Sequence, residues 1–361
     1  MPELIQLNAS TDIITDTTKV TTGFFTGNLG TLAKNNLATE SLSATQKNYY
    51  YNLQYSSEDQ FSVAFGHKEG SGSGAVQETK AVYMHFKNLL VDPEDIASTA
   101  SDGFQFSVSS SNAVNHAGIE DFMYFIVMDR ARMKDRLNKK NWTLRLSGSG
   151  MPNGSVACSA SLLELTDDSS TVTGTSTVAG VRYNVVSGSD GTVHTAAATK
   201  TYGWVFPNMG IIALRGREVS ASLPGQSGSI DSASFLKAEN ELGLGPELNN
   251  DGTADNALKF ANSVALAAQA FRSEEDQTSK TYFLRTFAND MNYSNNPTFT
   301  SGSAKVLRHS DMIGYPHTFI TTVGLYQQGP SGQELVAVGK VSGPIQKNYG
   351  TEATIKLKLT Y

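Results

Sequence analysis

The stretch QFSVAFGHKEGSGSGAVQETKAVYMHFKNLLVDPED, Gln60 to Asp95, sets how the rest of the chain is read. Phe61, Val63 and Phe65 alternate with Ser62 and Ala64, the period-two pattern of a half-buried strand. A loop with glycines at 66, 70, 72 and 74 follows and carries no large apolar side chain. Ala81 to Leu90 is then dense in aromatic and branched residues and is bounded by Asp92-Pro93. It reads as a helix with Val82, His85, Phe86 and Leu89 on one face.

The glycine loop is the first place to test for chemistry. A phosphate-cradling loop needs a Lys directly after its second anchoring glycine, so that the ammonium reaches the outer phosphates. Here Lys68 precedes Gly70, and Glu69 would repel a pyrophosphate. The loop is therefore read as a surface connection, with Gly70, Gly72 and Gly74 as candidate contact points rather than as a nucleotide site.

Outward from this stretch the pattern is mostly β. Phe122–Met128 (FMYFIVM) is a continuous apolar run, read as a strand buried on both faces. Arg130 to Leu137 fits two helical turns with Asp129 as N-cap. Residues 155 to 225 read as strands separated by turns at Asp167-Asp168, Ser189-Asp-Gly191 and Pro207-Asn208. A helix is expected from Asp231 or Ser232 to Gly243. A second runs from Asp255 to Arg272, with Ala257, Phe260, Ala261, Val264, Ala267, Ala268 and Phe271 at helical spacing. Phe319 to Tyr326 and Glu334 to Val341 flank QQGPSGQ as a hairpin. In the last strand Ile355, Leu357, Leu359 and Tyr361 share one face and Thr354, Lys356, Lys358 and Thr360 the other. Such a strand must pair, either closing this chain's own sheet or joining a neighbour's. Those four apolar residues are candidate contact residues as well.

The expected fold class is mainly β with a minor α part, an α+β chain. It is expected to have antiparallel β-sandwich-like domains and a helical insertion around 231–272. The expected division is an irregular N-terminal arm over 1–45, with a short helix around Leu29 to Leu37, and a β-rich domain over 46–225. A helical segment over 226–292 follows, and a C-terminal β segment over 293–361 completes the core.

Composition narrows the function. Of 361 residues only 17% are charged while 39% are hydrophobic, and Ser, Thr, Asn and Gly make up the difference. Net charge is −6 and no strongly basic run is present, so nucleic acid is not the expected partner. No apolar run is long enough to span a membrane as a helix. Cys158 is the single cysteine, so no intramolecular disulfide can form. The histidines at 67, 85, 116, 194, 309 and 317 have no zinc-motif spacing. Gly225-Gln-Ser227-Gly-Ser229 lacks the last glycine of a nucleophile elbow, and Asn249 to Asp255 lacks the oxygen spacing of a calcium loop. The acid pairs Glu58-Asp59, Glu94-Asp95 and Glu120-Asp121, and the triplet Glu274-Glu275-Asp276, are read as solvated surface groups. No catalytic residue, cofactor site or metal site is expected. A carbohydrate-binding module would need exposed aromatic faces, for which Tyr49 to Tyr51 and Trp204 are the candidates, and strand cores explain these residues as well.

Three stretches together resemble a known family. They are SATQKNYYYNLQYSSEDQFSVAFGHKEGSGSG with ETKAVYMHFKNLLVDPED; YFIVMDRARMKDRLNKKNWTLRLSG with YGWVFPNMGIIAL; and the tail from YSNNPTF through HTFITTVGLY to ELVAVGKVSGPIQKNYGTEATIKLKLTY. This set resembles virion structural proteins of T4-like contractile-tailed bacteriophages, of the cyanophage type, in particular baseplate wedge subunits. The resemblance covers about half of the chain and leaves out 231–280. It implies a non-enzymatic subunit, a homo-oligomer (a dimer) in a multi-copy tail assembly, with other tail and baseplate proteins as partners. Its place would be the virion, after assembly in the host cytoplasm. The alternatives are a neck, tail-terminator or capsid-decorating protein, and a receptor- or carbohydrate-binding tail module.

Overall fold

A computed structural model describes residues 4–27, 29–35, 50–68, 78–91, 103–106, 118–120, 122–147, 162–197, 200–219, 256–330 and 332–360. The chain is mainly β with a minor α part, and its sheets are antiparallel. It divides into two units, Val20–Glu275 and a second made of Met1–Lys19 with Asp276–Tyr361. Strands Ile13–Gly23 and Arg272–Thr286 each contribute residues to both.

In the larger unit Phe122–Met128 is the central strand of an 11-stranded sheet. It pairs with Glu58–His67 on one side and Ile211–Arg215 on the other, so that Ile126 stands between Val63 and Ile212. The sheet continues through Tyr50–Tyr55 to Ala33–Asn35 on the first side. On the second it runs through Gly203–Phe206, Gly180–Ser189 and Leu163–Asp167 to Leu144–Leu146.

The central strand is apolar on both faces because both faces are covered. Tyr124, Ile126 and Met128 belong to one buried cluster, Met123 and Phe125 to another. Over the first face lies helix Asn256–Ala265, whose Phe260 ring stacks on Tyr124 at 4.7 Å. Over the second lies helix Glu78–Leu90, whose Phe86 ring stacks on Phe125 at 4.0 Å and 11°. Gly66 makes this second contact feasible: a Cβ there would stand 2.8 Å from the backbone nitrogen of Tyr83. The helix therefore buries Tyr83, Phe86, Lys87 and Leu90, while His85 is exposed and Leu89 is 39% exposed. The face expected from apolar spacing is thus rotated by about one residue. The phenol of Tyr83 explains the choice. It donates to the Glu120 carbonyl at 2.6 Å and accepts from the Phe104 amide at 3.0 Å, which satisfies its polar end inside the core.

Three further expectations are corrected. Arg130 to Leu137 is not two helical turns. Asp129 caps a single turn, Arg130–Met133, by accepting from the Ala131 amide, and Lys134 at φ 58 ends it. Arg136–Leu137 then pairs with Ser273 and Glu274. Secondly, the helix expected to reach Arg272 stops at Ala265. The Gln269 amide donates to the Val264, Ala267 and Arg145 carbonyls, and Ala268–Gln269 pairs with Gly30–Thr31. The continuing apolar spacing places Phe271 in the core from an extended segment. Thirdly, the described part of the expected N-terminal arm, 4–27 and 29–35, is not irregular throughout. Ile13–Gly23 is a strand, as its Ile, Val and Thr content favours, and Phe24, Phe25 and Leu32 are buried. Gly30–Thr31 and Ala33–Asn35 are strands where a short helix was expected. The helix expected over 231–243, Cys158, Gly225 to Ser229 and Asn249 to Asp255 lie outside the described residues.

In the smaller unit Ala353–Thr360 pairs antiparallel with residues 279–286, Leu357 opposite Tyr282. The C-terminal strand thus closes a sheet of its own chain. The expected hairpin is present and longer than its apolar run, Thr318–Gly329 with Gly332–Lys347.

Phe271 holds the first core cluster together. Its ring lies 4.9 Å from Phe61, 6.1 Å from Phe24 and parallel to Trp142 at 5.6 Å. Phe271→Ala is expected to destabilise the fold by about 3–5 kcal/mol, and Phe271→Leu by clearly less. Denaturant unfolding of the two variants checks this.

Candidate interaction surface

Charged groups inside the larger unit are paired or hydrogen-bonded. Glu120, expected on the surface, is buried and joined to Arg215, with Nε to Oε1 at 2.7 Å. Arg215 also donates to the Thr201 carbonyl at 3.1 Å and lies over the Phe106 ring at 4.8 Å. Glu218 accepts from Lys200 at 3.0 Å. Two cations and two carboxylates balance in this group, the arrangement of a structural ion network. Glu274 and Glu275, also expected in a solvated loop, lie in a strand, at 2.8 Å from Arg136 and 2.6 Å from Lys134. Strand pairing brings these opposite charges together, which the acid triplet alone did not reveal.

The turn acids Asp167 and Asp168 are buried too. Asp167 accepts from Trp142 Nε1 at 2.7 Å and from the Lys140 and Ser169 amides at 3.0 Å. Asp168 accepts from the backbone and side-chain nitrogens of Asn184 at 3.0 and 2.7 Å. Among the described residues no three His, Cys, Asp or Glu side chains are placed to hold a metal ion. No described helix is long and apolar enough to cross a membrane. Trp204, the aromatic candidate for sugar binding, is buried between Phe106 at 4.2 Å and the Arg182 guanidinium at 4.0 Å. Neither face is open for a ring of a sugar. Tyr51 is buried as well, Tyr50 is exposed, and Tyr49 lies outside the described residues.

The smaller unit has the opposite distribution of apolar residues. Among its described residues only Phe299 and Leu325 are buried apolar side chains. Its hairpin turns Phe319, Tyr326, Leu335 and Val338 to solvent, 49% to 60% exposed. Register places most of these together. Tyr326 stands opposite Leu335, and Val338 opposite Gly324. A Cβ at Gly324 would meet the Tyr326 and Leu335 side chains at 3.1 and 3.3 Å, so the four positions share one face. Val336, 60% exposed, is the extra residue of a bulge between Leu335 and Ala337.

The hairpin is held at its base. Thr318 and Lys347 form its first rung, and both are buried. Lys347 Nζ donates to the Ala288 and Asn348 carbonyls at 3.0 Å and to Asn292 Oδ1 at 3.1 Å. Thr318 Oγ1 donates to the Met291 carbonyl at 2.5 Å. All three ammonium protons thus have oxygen partners. On its inner face the hairpin meets the C-terminal strand, where the Leu357 side chain lies against Gly339.

The sequence-derived contact residues divide accordingly. Ile355, Leu357 and Leu359 sit on one face of the C-terminal strand and are half-buried. Tyr361 and Gly70, Gly72 and Gly74 lie outside the described residues. The exposed face centred on Tyr326, Leu335 and Val338 was missed: the hairpin was legible, but which face points outward depends on the bulge. No protein-family model, curated protein or solved structure matches the chain.

Two outcomes follow from this geometry. Lys347→Met is expected to take one donor from each of three inward oxygens, of which the Ala288 and Asn348 carbonyls keep bonds from Asn292 and Thr351, and to cost about 1–3 kcal/mol. Faster amide exchange in 318–347 than in 122–128 would localise the loss to the hairpin base. The second concerns pH. Burial raises the Asp168 carboxyl above the ordinary 3.8, and the bonds from Asn184 offset this only in part. The folded state then binds that proton more tightly than the unfolded state. Its contribution is most favourable below 3.8 and declines as pH rises through the raised value. Thermal unfolding against pH should show Asp168→Asn gaining on the parent protein from acid toward neutrality.

Proposed function

We propose that this chain is a non-enzymatic structural subunit of a contractile phage tail, a baseplate wedge protein that joins neighbouring tail proteins. The observation that carries the assembly role is the inverted apolar distribution of the smaller unit, which among its described residues buries two apolar side chains and presents a contiguous apolar hairpin face. A two-stranded hairpin is marginal in water by itself, and exposed apolar faces of this kind mark contact surfaces. The larger unit, by contrast, satisfies its own core from both sides of one sheet. A self-sufficient body with a face that needs covering suits a subunit built to be joined to others. The attribution to a phage tail rests on the sequence resemblance described above.

Measuring the mass of the purified protein, alone and co-expressed with its gene neighbours, tests this reading. A stable complex with tail proteins supports it, and a monomer that ignores every neighbour overturns it. Binding to neck or capsid proteins alone would move the assignment to those parts of the virion. The double variant Leu335→Ser/Val338→Ser changes exposed positions and is expected to alter stability by no more than about 1 kcal/mol. The complex should nevertheless be lost. Unchanged co-purification of this variant would remove the hairpin face from the proposal.

A further inference from the structure

We infer that the C-terminal strand Ala353–Thr360 is an acceptor edge for one further β-strand, supplied by a partner protein, in which acidic and apolar residues alternate. The inference rests on three observations about this strand. First, it is terminal in its sheet: its strand partner is the segment 279–286, and among the described residues no strand pairs with its other edge. An edge strand directs alternate backbone N–H and C=O groups outward, where an added strand can bond to them. Secondly, Ile355, Leu357 and Leu359 are only half-buried, although Leu357 packs against Gly339 of the hairpin. Their apolar row is incomplete on one side, and apolar residues of an added strand would extend it.

Thirdly, the other face is basic. Lys356 and Lys358 are exposed, and exposed Arg285 lies on the same face, since its cross-strand partner is Thr354. Lys356 and Lys358 stand about 7 Å apart along the strand, twice the rise per residue. None of the three cations is paired with a carboxylate among the described residues. This face is basic within a chain of net charge −6, and residues 276–361 hold eight Lys and Arg against five Asp and Glu.

The occupant follows from superimposing these features. A strand added at the free edge keeps the two-residue alternation of its neighbour. The side chains facing Lys356 and Lys358 would then be Asp or Glu, and those beside Ile355, Leu357 and Leu359 would be Val, Ile or Leu. Opposite charges across strands favour the pairing, and like charges oppose it. The same lysines would reject a basic or identical edge, so they select the partner as well as attract it.

The inference deepens the assembly reading and rests on it in taking the occupant to be a protein. The test uses the full chain and a labelled synthetic peptide alternating Glu with Val. Controls are the same peptide with Lys for Glu, the Glu peptide N-methylated at alternate residues, and duplex DNA. Fluorescence anisotropy is expected to show binding of the Glu peptide alone, weakened about tenfold or more as salt is raised. Amide exchange should slow within 353–360. Lys356→Glu/Lys358→Glu, two surface changes, should reverse the preference between the Glu and Lys peptides. Equal binding of the N-methylated peptide would overturn strand addition. Preferential binding of DNA, or no peptide binding, would overturn the acidic-strand assignment. A tail-protein complex that forms unchanged with Lys356→Glu/Lys358→Glu keeps the assembly reading and overturns this one, whereas absence of any complex counts against the assembly reading itself.

Discussion

A strand with apolar residues on both faces cannot be left at a surface, and Phe122–Met128 imposes that constraint on the whole larger unit. Tyr124, Ile126 and Met128 require one apolar layer, and Met123 and Phe125 require another on the opposite side. Both backbone edges must also be paired, because no water reaches them. The rest of the unit answers these demands. Glu58–His67 and Ile211–Arg215 supply the edges, and helices Asn256–Ala265 and Glu78–Leu90 supply the two layers. Gly66 is required by the closeness of one of those helices. The early residues Phe24 and Phe25 are drawn into the first layer through their contacts with Phe61.

The smaller unit is organised by polar anchoring instead. Its long hairpin has a base rung whose Thr and Lys are tied to main-chain and amide oxygens, and a distal part with little apolar cover. This separates rigidity from adhesion. The base fixes where the hairpin emanates, while the apolar face stays available. The C-terminal strand has a similar two-sided character. Half-buried Ile355, Leu357 and Leu359 share one face, on which Leu357 lies against Gly339 of the hairpin, and a basic row is on the other face. In contact surfaces generally, an apolar face contributes affinity and a charged edge contributes selectivity.

Charge placement shows the same division of labour. The buried carboxylates of Glu120, Asp167 and Asp168 each accept hydrogen bonds from groups of the same unit. Trp204, a candidate sugar platform that a strand core explains equally from sequence, is a buried strand residue against Phe106 and the Arg182 guanidinium.

Local periodicity by itself determined much of this molecule. The FMYFIVM strand, the helix before Asp92-Pro93, the hairpin around QQGPSGQ and the alternating last strand are all legible because burial on one or two faces leaves a periodic trace in the residues. What periodicity could not decide was where a pattern stops and which partner it meets. The stripe beyond Ala265 continues at helical spacing, but Gln269 bonds three carbonyls and turns the backbone into a strand. The acids at 274 and 275 look solvated until strand pairing brings Arg136 and Lys134 beside them. Ile13–Gly23 and Gly30–Thr31 look like parts of a free arm because their partners are some 250 positions away in the chain, as where Ser273 donates to the Thr22 carbonyl. Which side chains share the exposed face of the distal hairpin depends on the bulged residue Val336, since one extra residue reverses the sidedness of its strand. Sequence specifies short-range pattern. Long-range pairing, which only the tertiary structure contains, decides which of those patterns are used and which faces remain open.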